Sequence, residues 1–334
     1  MNRIHNVLLI CPKYFGYEKD LINGLSACGY TIDYIQENVD KVSLLRRIEN
    51  HLPDHARELS VLRYFEKATS KFTKKKYDAI LCVRAEFLNR YVCEYLKAKY
   101  PDAKFILYLW DSVALTSYVS EIEKFFNQVY TYDRLDYERN KEKGWKFRAL
   151  FCSNEYLSAP CSENEYDLGY IASLLPTRAK YVDQLASVCD EHGYSYYFHL
   201  YSPRASFEIN HTFGKFKGMN RRFVKHYTLN RPQTVEIISK CKTVFDCVQN
   251  ENSGLTMRSL ETLGAGRRLI TTNKDIVNYE FYNPQIICVI NNEKDYEYIP
   301  FLSKEPDEQA INNMRRIINE KYSIKAWLED VLAI

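Results

Sequence analysis

Short apolar runs alternate with helix-patterned segments along almost the whole chain, and this alternation limits the fold more than any single motif does. "NVLLIC" (6–11), "YTIDYI" (30–35), "YDAILCV" (77–83), "KFILYLW" (104–110) and "QVYTY" (128–132) are short, apolar and bounded by turn formers, so they read as strands. Between them, "EKDLINGLSACG" (18–29), residues 41–73 with a break at "HLPDH", "AEFLNRYVCEYLKAKY" (85–100) and "SYVSEIEKFF" carry helical spacing. A further helix around 134–143 stops at Gly144, and "FRALF" follows. Strands separated in this way by helices predict a parallel sheet covered by helices.

The pattern restarts after a polar, aperiodic stretch, "CSNEYLSAPCSENEYD" (152–167), which reads as a linker over 152–165. "YDLGYIAS" (166–173), "YSYYFHLY" (194–201), "TVFDCV" (243–248) and "QIICVI" (285–290) are the next strands. "TRAKYVDQLASVCDEHG" (177–193) and "RPQTVEIISKC" (231–241) are helices, the second with Pro232 in its first turn. "DEQAINNMRRIINEKYS" and "IKAWLEDVLAI" close the chain as helices. The expected organisation is α/β: two Rossmann-like domains of about 150 residues each, over 1–151 and 166–322. Their parallel sheets face a cleft, and a last helix, 323–334, packs back on the first domain. Ligands of such sheets bind at the carboxyl ends of the strands, so the loops after each strand are where chemistry is expected.

Composition narrows the class. Hydrophobic residues make up 46% and charged residues 27%, as in an ordinary globular chain, and the formal net charge of +3 argues against a nucleic-acid partner. The 28 tyrosines suit amphipathic ligands such as sugars, although low-GC bacterial codon usage also enriches tyrosine and is the stronger explanation. The ten cysteines show no CxxC pair or His/Cys spacing, and Cys11, Cys82 and Cys288 lie in apolar runs as buried thiols. No apolar run is long enough to span a membrane, and the N-terminal run is too short for a signal peptide, so the expected location is cytoplasmic. No His cluster or DxD loop suggests a metal, and no cofactor is expected.

"SGLTMRSLETLGAGRRLITTN" (253–273) is loop, helix, glycine stop and strand in 21 residues. The loop ends on Ser253-Gly254 and the helix is expected to start near Leu255. The unpartnered N–H groups of its first turn form a positive pole that suits a phosphate, and Gly254 allows close approach. At about 100° per residue, Met257, Leu260 and Gly264 share one face, and Glu261 lies only about 40° from Met257. A carboxylate at that edge needs partners. Either ribose hydroxyls supply them, or Arg258, three residues earlier, forms a helix ion pair with it.

This segment resembles the donor-site segment of GT-B glycosyltransferases, closest to the CgeB-like and capsular or lipopolysaccharide-biosynthesis branch in bacteria. The resemblance implies that Ser253, Gly254, Leu255, Thr256, Arg258, Glu261 and Asn273 contact a nucleotide-sugar, with Glu261 on the ribose. "DLGYIASLLPTRAKYVDQL" is similar to the first strand and helix of the donor domain, where Ser173 and Arg178 would face the phosphates. "HYTLNRPQTVEIISKCKTVFD" resembles the segment that cradles the base. "FILYLWDS" and "VYTYDRLDYERNKEKGWKFRALF" resemble the acceptor half. One departure stands out. Many retaining members carry a second glutamate eight positions before the ribose-binding one; here that position is Ser253, and the nearest acid is Glu251. The stereochemistry is therefore not carried over.

Other candidates come from position. Asp111 follows a first-domain strand, where a carboxylate can take an acceptor hydroxyl's proton; the alternative is a helix cap. Asp133, in "YTYDRLD", has the same two readings. Lys13, Gly16 and Tyr17 lie in the loop after the first strand, suited to acceptor or cleft contact. Arg204 ends a second-domain strand within reach of a phosphate. His199 reads as a satisfied residue inside its strand. The lysine run "KFTKKKYD" (71–78) is either a solvated helix end or a contact to anionic head groups at the inner face of the cell membrane. The function implied is transfer of a sugar from a nucleotide-sugar to an oligosaccharide or lipid-linked acceptor of a surface polysaccharide. The alternatives are a nucleotide-sugar epimerase or hydrolase on the same fold, and a non-catalytic nucleotide-binding scaffold.

Overall fold

A computed structural model describes residues 5–37, 54–74, 76–116, 118–160, 163–248, 253–305 and 307–332. The chain divides into two units, 1–149 with 324–334, and 150–323.

The first unit is built on strands β1 (Asn6–Cys11), β2 (Thr31–Gln36), β3 (Ala79–Val83), β4 (Lys104–Leu109), β5 (Gln128–Thr131) and β6 (Lys146–Phe147). They form one sheet in the order β2-β1-β3-β4-β5-β6, and every pairing is parallel. Helices α1 (Tyr17–Ala27), α2 (Asp54–Thr69), α3 (Arg90–Lys99) and α4 (Arg134–Asn140) connect them. All of β3 is buried, as expected of a strand covered on both faces. The expected helix over 41–73 is described only from residue 54 on. The helix expected over 85–100 begins five residues late: Asn89 caps it, accepting from the Val92 N–H at 3.1 Å. The residues before that cap form a sharp turn instead, with Arg84 (φ 72°) and Ala85 (φ 60°) both left-handed.

The second unit carries β7 (Tyr166–Ser173), β8 (Tyr196–Tyr201), β9 (Val224–Lys225), β10 (Cys241–Asp246), β11 (Arg268–Thr271) and β12 (Ile287–Val289). Its sheet is again parallel, in the order β12-β11-β10-β7-β8-β9. Its helices of eight or more residues are α5 (Pro176–His192), α6 (Arg204–Phe213), α7 (Arg231–Ser239), α8 (Met257–Gly264) and α9 (Glu308–Tyr322). The polar stretch read as a linker is partly built into this unit. Asn154–Leu157 is a helical turn with Tyr156 buried, and Cys152 bridges to Ser323 in strand geometry. Its polarity hid a short run of contacts too brief to show a period. Gly264, at the end of α8, explains the close fit, because a Cβ there would strike the Cys152 sulfur and come within 3.3 Å of Leu157. The last helix, α10 (Ile324–Leu332), belongs to the first unit. It lies against α1, where a Cβ on Gly24 would come within 2.8 Å of Ile324, and it buries Trp327 edge-on against Tyr108.

Each sheet reverses its strand order at one place, between β1 and β3 in the first unit and between β7 and β10 in the second. Chains leaving neighbouring strands in opposite directions open a crevice at the carboxyl ends, where such sheets bind ligands. The nine described cysteines are free thiols; Cys161 lies outside the described residues. Burial pushes the Cys82 thiol well above its ordinary range, and the Cys288 thiol up to about 11.

Candidate functional site

In the second unit, Arg178 sits over the reversal point. It lies in the first turn of α5, whose start is set by Pro176. Its guanidinium donates to the Ser173 carbonyl at 3.2 Å, at the end of β7, and to the Cys247 carbonyl at 3.5 Å, just after β10. Both partners are neutral, and Arg178 meets no carboxylate among the described residues. Nearby, the Tyr170 hydroxyl is buried without a hydrogen-bond partner among the described residues, its ring edge-on to Phe245. Burial, then the Cys247 thiol, pushes the Tyr170 hydroxyl well above its usual range, opposed by Arg178. Among the described residues, then, a hydroxyl without a partner stands beside a cation without a carboxylate, an arrangement that suits an acceptor-rich ligand.

The 253–273 segment borders the same strand ends. Helix α8 starts at Met257, two residues later than expected, because Thr256 caps it and accepts from the Ser259 N–H at 3.2 Å. The Asp246 carboxylate, at the end of β10, accepts from both the Thr256 and Ser259 hydroxyls, the latter at 2.7 Å. Asn273 is buried, and its amide donates to the carbonyls of Gly254 (2.9 Å) and Ser253 (3.2 Å). Asn273 therefore shapes the loop from behind rather than from its open side. Leu255 is likewise fully buried and anchors the loop. Ser173 and Arg204 are exposed at the ends of β7 and β8.

Glu261 is only 1% exposed, and Arg258 meets its carboxylate at 3.0 Å. The ion-pair reading of the spacing is present, but as an inward-facing pair and not a surface one. Tyr156 closes over it: burial and the Glu261 charge raise its phenol, while Arg258 lowers it. A ribose meets Glu261 only by exchanging for Arg258 or joining that pair. Glu251 lies outside the described residues.

In the first unit, the loop after β1 carries exposed Tyr14 and Phe15, with Phe15 (φ 48°) and Gly16 (φ 84°) both left-handed before α1. Tyr17 packs on Trp110, ring centres 5.4 Å apart. Lys13 is exposed beside them. At the end of β3, Arg84 binds Asp111 at 2.8 Å and Glu86 at 2.9 Å, and lies over the Tyr14 ring. Its left-handed backbone is held by the Tyr118 hydroxyl, which donates to its carbonyl at 2.9 Å. Two consecutive non-glycine residues in this region cost roughly 1–2 kcal/mol each, and such strain collects at functional sites. Asp111 is 38% exposed on its side chain. It does not cap the turn that follows: that task falls to Asp136, which accepts from the Val113 N–H at 2.7 Å.

Asp133 behaves differently. It is buried, and it caps α4 by accepting from the N–H groups of Leu135 (2.9 Å) and Asp136 (3.1 Å). The capping alternative describes it. His199 is buried with Nε2 at 3.0 Å from the Tyr227 carbonyl, and burial lowers its pKa. In the lysine run, Lys74 pairs with Asp33 and Lys76 with Asp102, while Lys75 lies outside the described residues. Arg84, Asp246 and Tyr156 were not singled out from sequence. Arg84 had one available signal, as the charge that ends the apolar run "AILCV". Among the described residues no group of three His, Cys, Asp or Glu side chains could hold a metal, and no helix is long and apolar enough to cross a membrane.

No protein-family model and no curated protein sequence matches the chain. Solved structures do. A glycosyltransferase from Rickettsia africae ESF-5 is 11% identical with a TM-score of 0.58, covering 100% of this chain and 98% of that one. The lipopolysaccharide outer core galactosyltransferase WaaB is 13% identical with a TM-score of 0.55, covering 97% of each. A putative UDP-N-acetylglucosamine 2-epimerase from Listeria monocytogenes is 9% identical with a TM-score of 0.55, covering 99% of this chain and 95% of that one. The fold is that of the GT-B glycosyltransferases: two α/β units, each on a six-stranded parallel sheet.

Proposed function

We propose that the protein is a glycosyltransferase that moves a sugar from a nucleotide-sugar donor to an acceptor of a bacterial surface polysaccharide, of the capsule, lipopolysaccharide or exopolysaccharide kind. The observation that carries the donor half is Arg178, a guanidinium at the strand-order reversal bound, among the described residues, to carbonyls and to no carboxylate. A diphosphate is the ligand that such a fork recognises best. The Ser253–Thr256 loop, held by Asn273 and Asp246, presents its backbone to the same ligand, with Arg204 and Ser173 at the rim. Glu261, with Arg258 as its resident partner, is the ribose contact.

On the acceptor side, the acceptor hydroxyl attacks the anomeric carbon, the bond to the diphosphate breaks, and the hydroxyl proton passes to Asp111. Tyr17 and Trp110 offer ring faces to a sugar, with Lys13 and Gly16 shaping the loop. Stabilising the leaving diphosphate supplies most of the catalysis, as preorganised charge does elsewhere. Asp133, a buried cap, is not part of this scheme. The likeness to an epimerase keeps a second reaction in view, since an epimerase also binds a nucleotide-sugar but needs no acceptor.

The test is a thermal-shift screen against nucleotide-sugars and free nucleotides. A ligand at about 100 times its Kd adds about 2.7 kcal/mol, an easily read shift. A hit, followed by turnover only when an oligosaccharide acceptor is added, supports the transferase. Turnover of the nucleotide-sugar alone favours the epimerase or hydrolase. No stabilisation by any CMP-, GDP-, UDP- or dTDP-sugar counts against the donor site itself.

A further inference from the structure

The second unit has a basic, apolar-tipped projection that neither half of the proposed reaction uses. Helix α6 turns Phe207 inward, where it is fully buried, and leaves Ile209 66% and Phe213 88% exposed one helical turn apart. Phe213 is the most exposed large apolar side chain among the described residues. The chain then folds back. The Asn210 carbonyl accepts from the Gly214 and Phe216 N–H groups at 3.0 Å each, and His211 holds the Met219 carbonyl at 3.0 Å. Phe216 is buried in the core of the unit, so the tip is fixed from beneath.

Charge collects around this tip. Residues 205–225, leaving out the donor-rim Arg204, contain five Lys and Arg against one Glu, a net +4, in a chain whose total is only +3. Arg221 pairs with Glu208, and Arg222 lies 3.8 Å from Asp190. Lys215 and Lys217, next to Phe213, are exposed and form no ion pair among the described residues.

We propose that this projection is a membrane-surface contact, in which Phe213 and Ile209 enter the head-group boundary of an anionic bilayer while Lys215, Lys217 and their basic neighbours bind its phosphates. An apolar pair ringed by lysine matches an interfacial helix. A protein-protein interface core is depleted in lysine. A second copy of the same face would meet its own positive charge. The lysine run 71–78 is a weaker candidate, because two of its lysines already face carboxylates. The inference stands independently of sugar transfer.

The test is co-sedimentation of the full chain with vesicles of pure phosphatidylcholine and of an equimolar phosphatidylcholine–phosphatidylglycerol mixture. Binding is expected only to the mixed vesicles and is expected to weaken with salt. Each basic residue near such a surface is worth about a five-fold change in partition, so Lys215→Ala/Lys217→Ala should weaken binding roughly 25-fold. Phe213→Ser should weaken it several-fold at any salt, with unchanged thermal melting because the side chain is exposed. Lys74→Ala/Lys76→Ala should leave it unchanged. The proposal is overturned if the wild type ignores anionic vesicles, if the 74/76 variant rather than the 215/217 variant loses binding, or if sedimentation velocity shows a dimer that Phe213→Ser dissolves and vesicles do not compete for.

Discussion

The two strand-order reversals each place an arginine at the carboxyl end of a sheet, and they use it in opposite ways. Arg84, in the first unit, is enclosed by the carboxylates of Asp111 and Glu86 and by the Tyr14 ring. Arg178, in the second, touches the carbonyls of Ser173 and Cys247 and no carboxylate among the described residues. An arginine already matched by two carboxylates has little charge left for an anion, but it orients those carboxylates firmly. An arginine held by neutral carbonyls keeps its charge for a ligand. The two reversals therefore differ in what they offer a ligand, and the proposed division between proton handling in one unit and diphosphate binding in the other rests on that difference.

The sharpest way to break this contrast is Asp111→Asn. Removing a base of this kind costs typically 10²–10⁴-fold in turnover. Here it should do so while the thermal shift given by the donor nucleotide stays at its wild-type value; loss of the shift would merge the two sites. Next in size is Arg178→Met. Charge-assisted hydrogen bonds contribute about 1.5–3 kcal/mol, so nucleotide affinity should fall roughly 10- to 150-fold by calorimetry, with the fold retained. Arg178→Lys, which keeps the charge without the fork, should fall between.

Two further changes examine the scaffold behind the second site. Gly264→Ala crowds Cys152 and Leu157 and should destabilise the protein by about 1–3 kcal/mol in denaturant melts. Thr256→Ala removes the α8 cap and should cost about 1 kcal/mol while weakening nucleotide binding, since the loop loses its tie to Asp246. The smallest effect concerns pH. Burial lowers the His199 pKa in the folded state, so the folded protein resists protonation there. The stability that His199 contributes is fully present above its unfolded pKa of about 6.5 and is lost as pH falls below that value toward the folded one. His199→Gln should flatten the melting-temperature curve in that acid range.

Much of the fold was legible because its signal is local. Strand β7 runs over Tyr166–Ser173, and α5 ends at Gly193 where the glycine stop stands. Boundaries slipped where a side chain intervened. Asn89 starts α3 late and leaves Arg84 and Ala85 in a left-handed turn, which helical periodicity over 85–100 masked. Thr256 does the same for α8. The site was harder to read because its meaning lies in pairings between distant residues. The spacing of Arg258 and Glu261 showed that they can meet, but not that the carboxylate faces inward beneath Tyr156. Asp246 reads as an interior residue of the expected strand 243–248; its two hydroxyl partners, ten and thirteen residues away, come into place only in the structure. Asp111 and Asp133 look alike in sequence and separate only by burial and by what their oxygens accept.

The most direct measurement is isothermal titration of free nucleoside diphosphates into the wild type, Arg178→Met and Arg84→Met. The account predicts that one nucleotide binds the wild type and Arg84→Met equally and binds Arg178→Met at least ten-fold more weakly. Equal binding to all three proteins, or loss of binding in Arg84→Met with Arg178→Met unaffected, would contradict it.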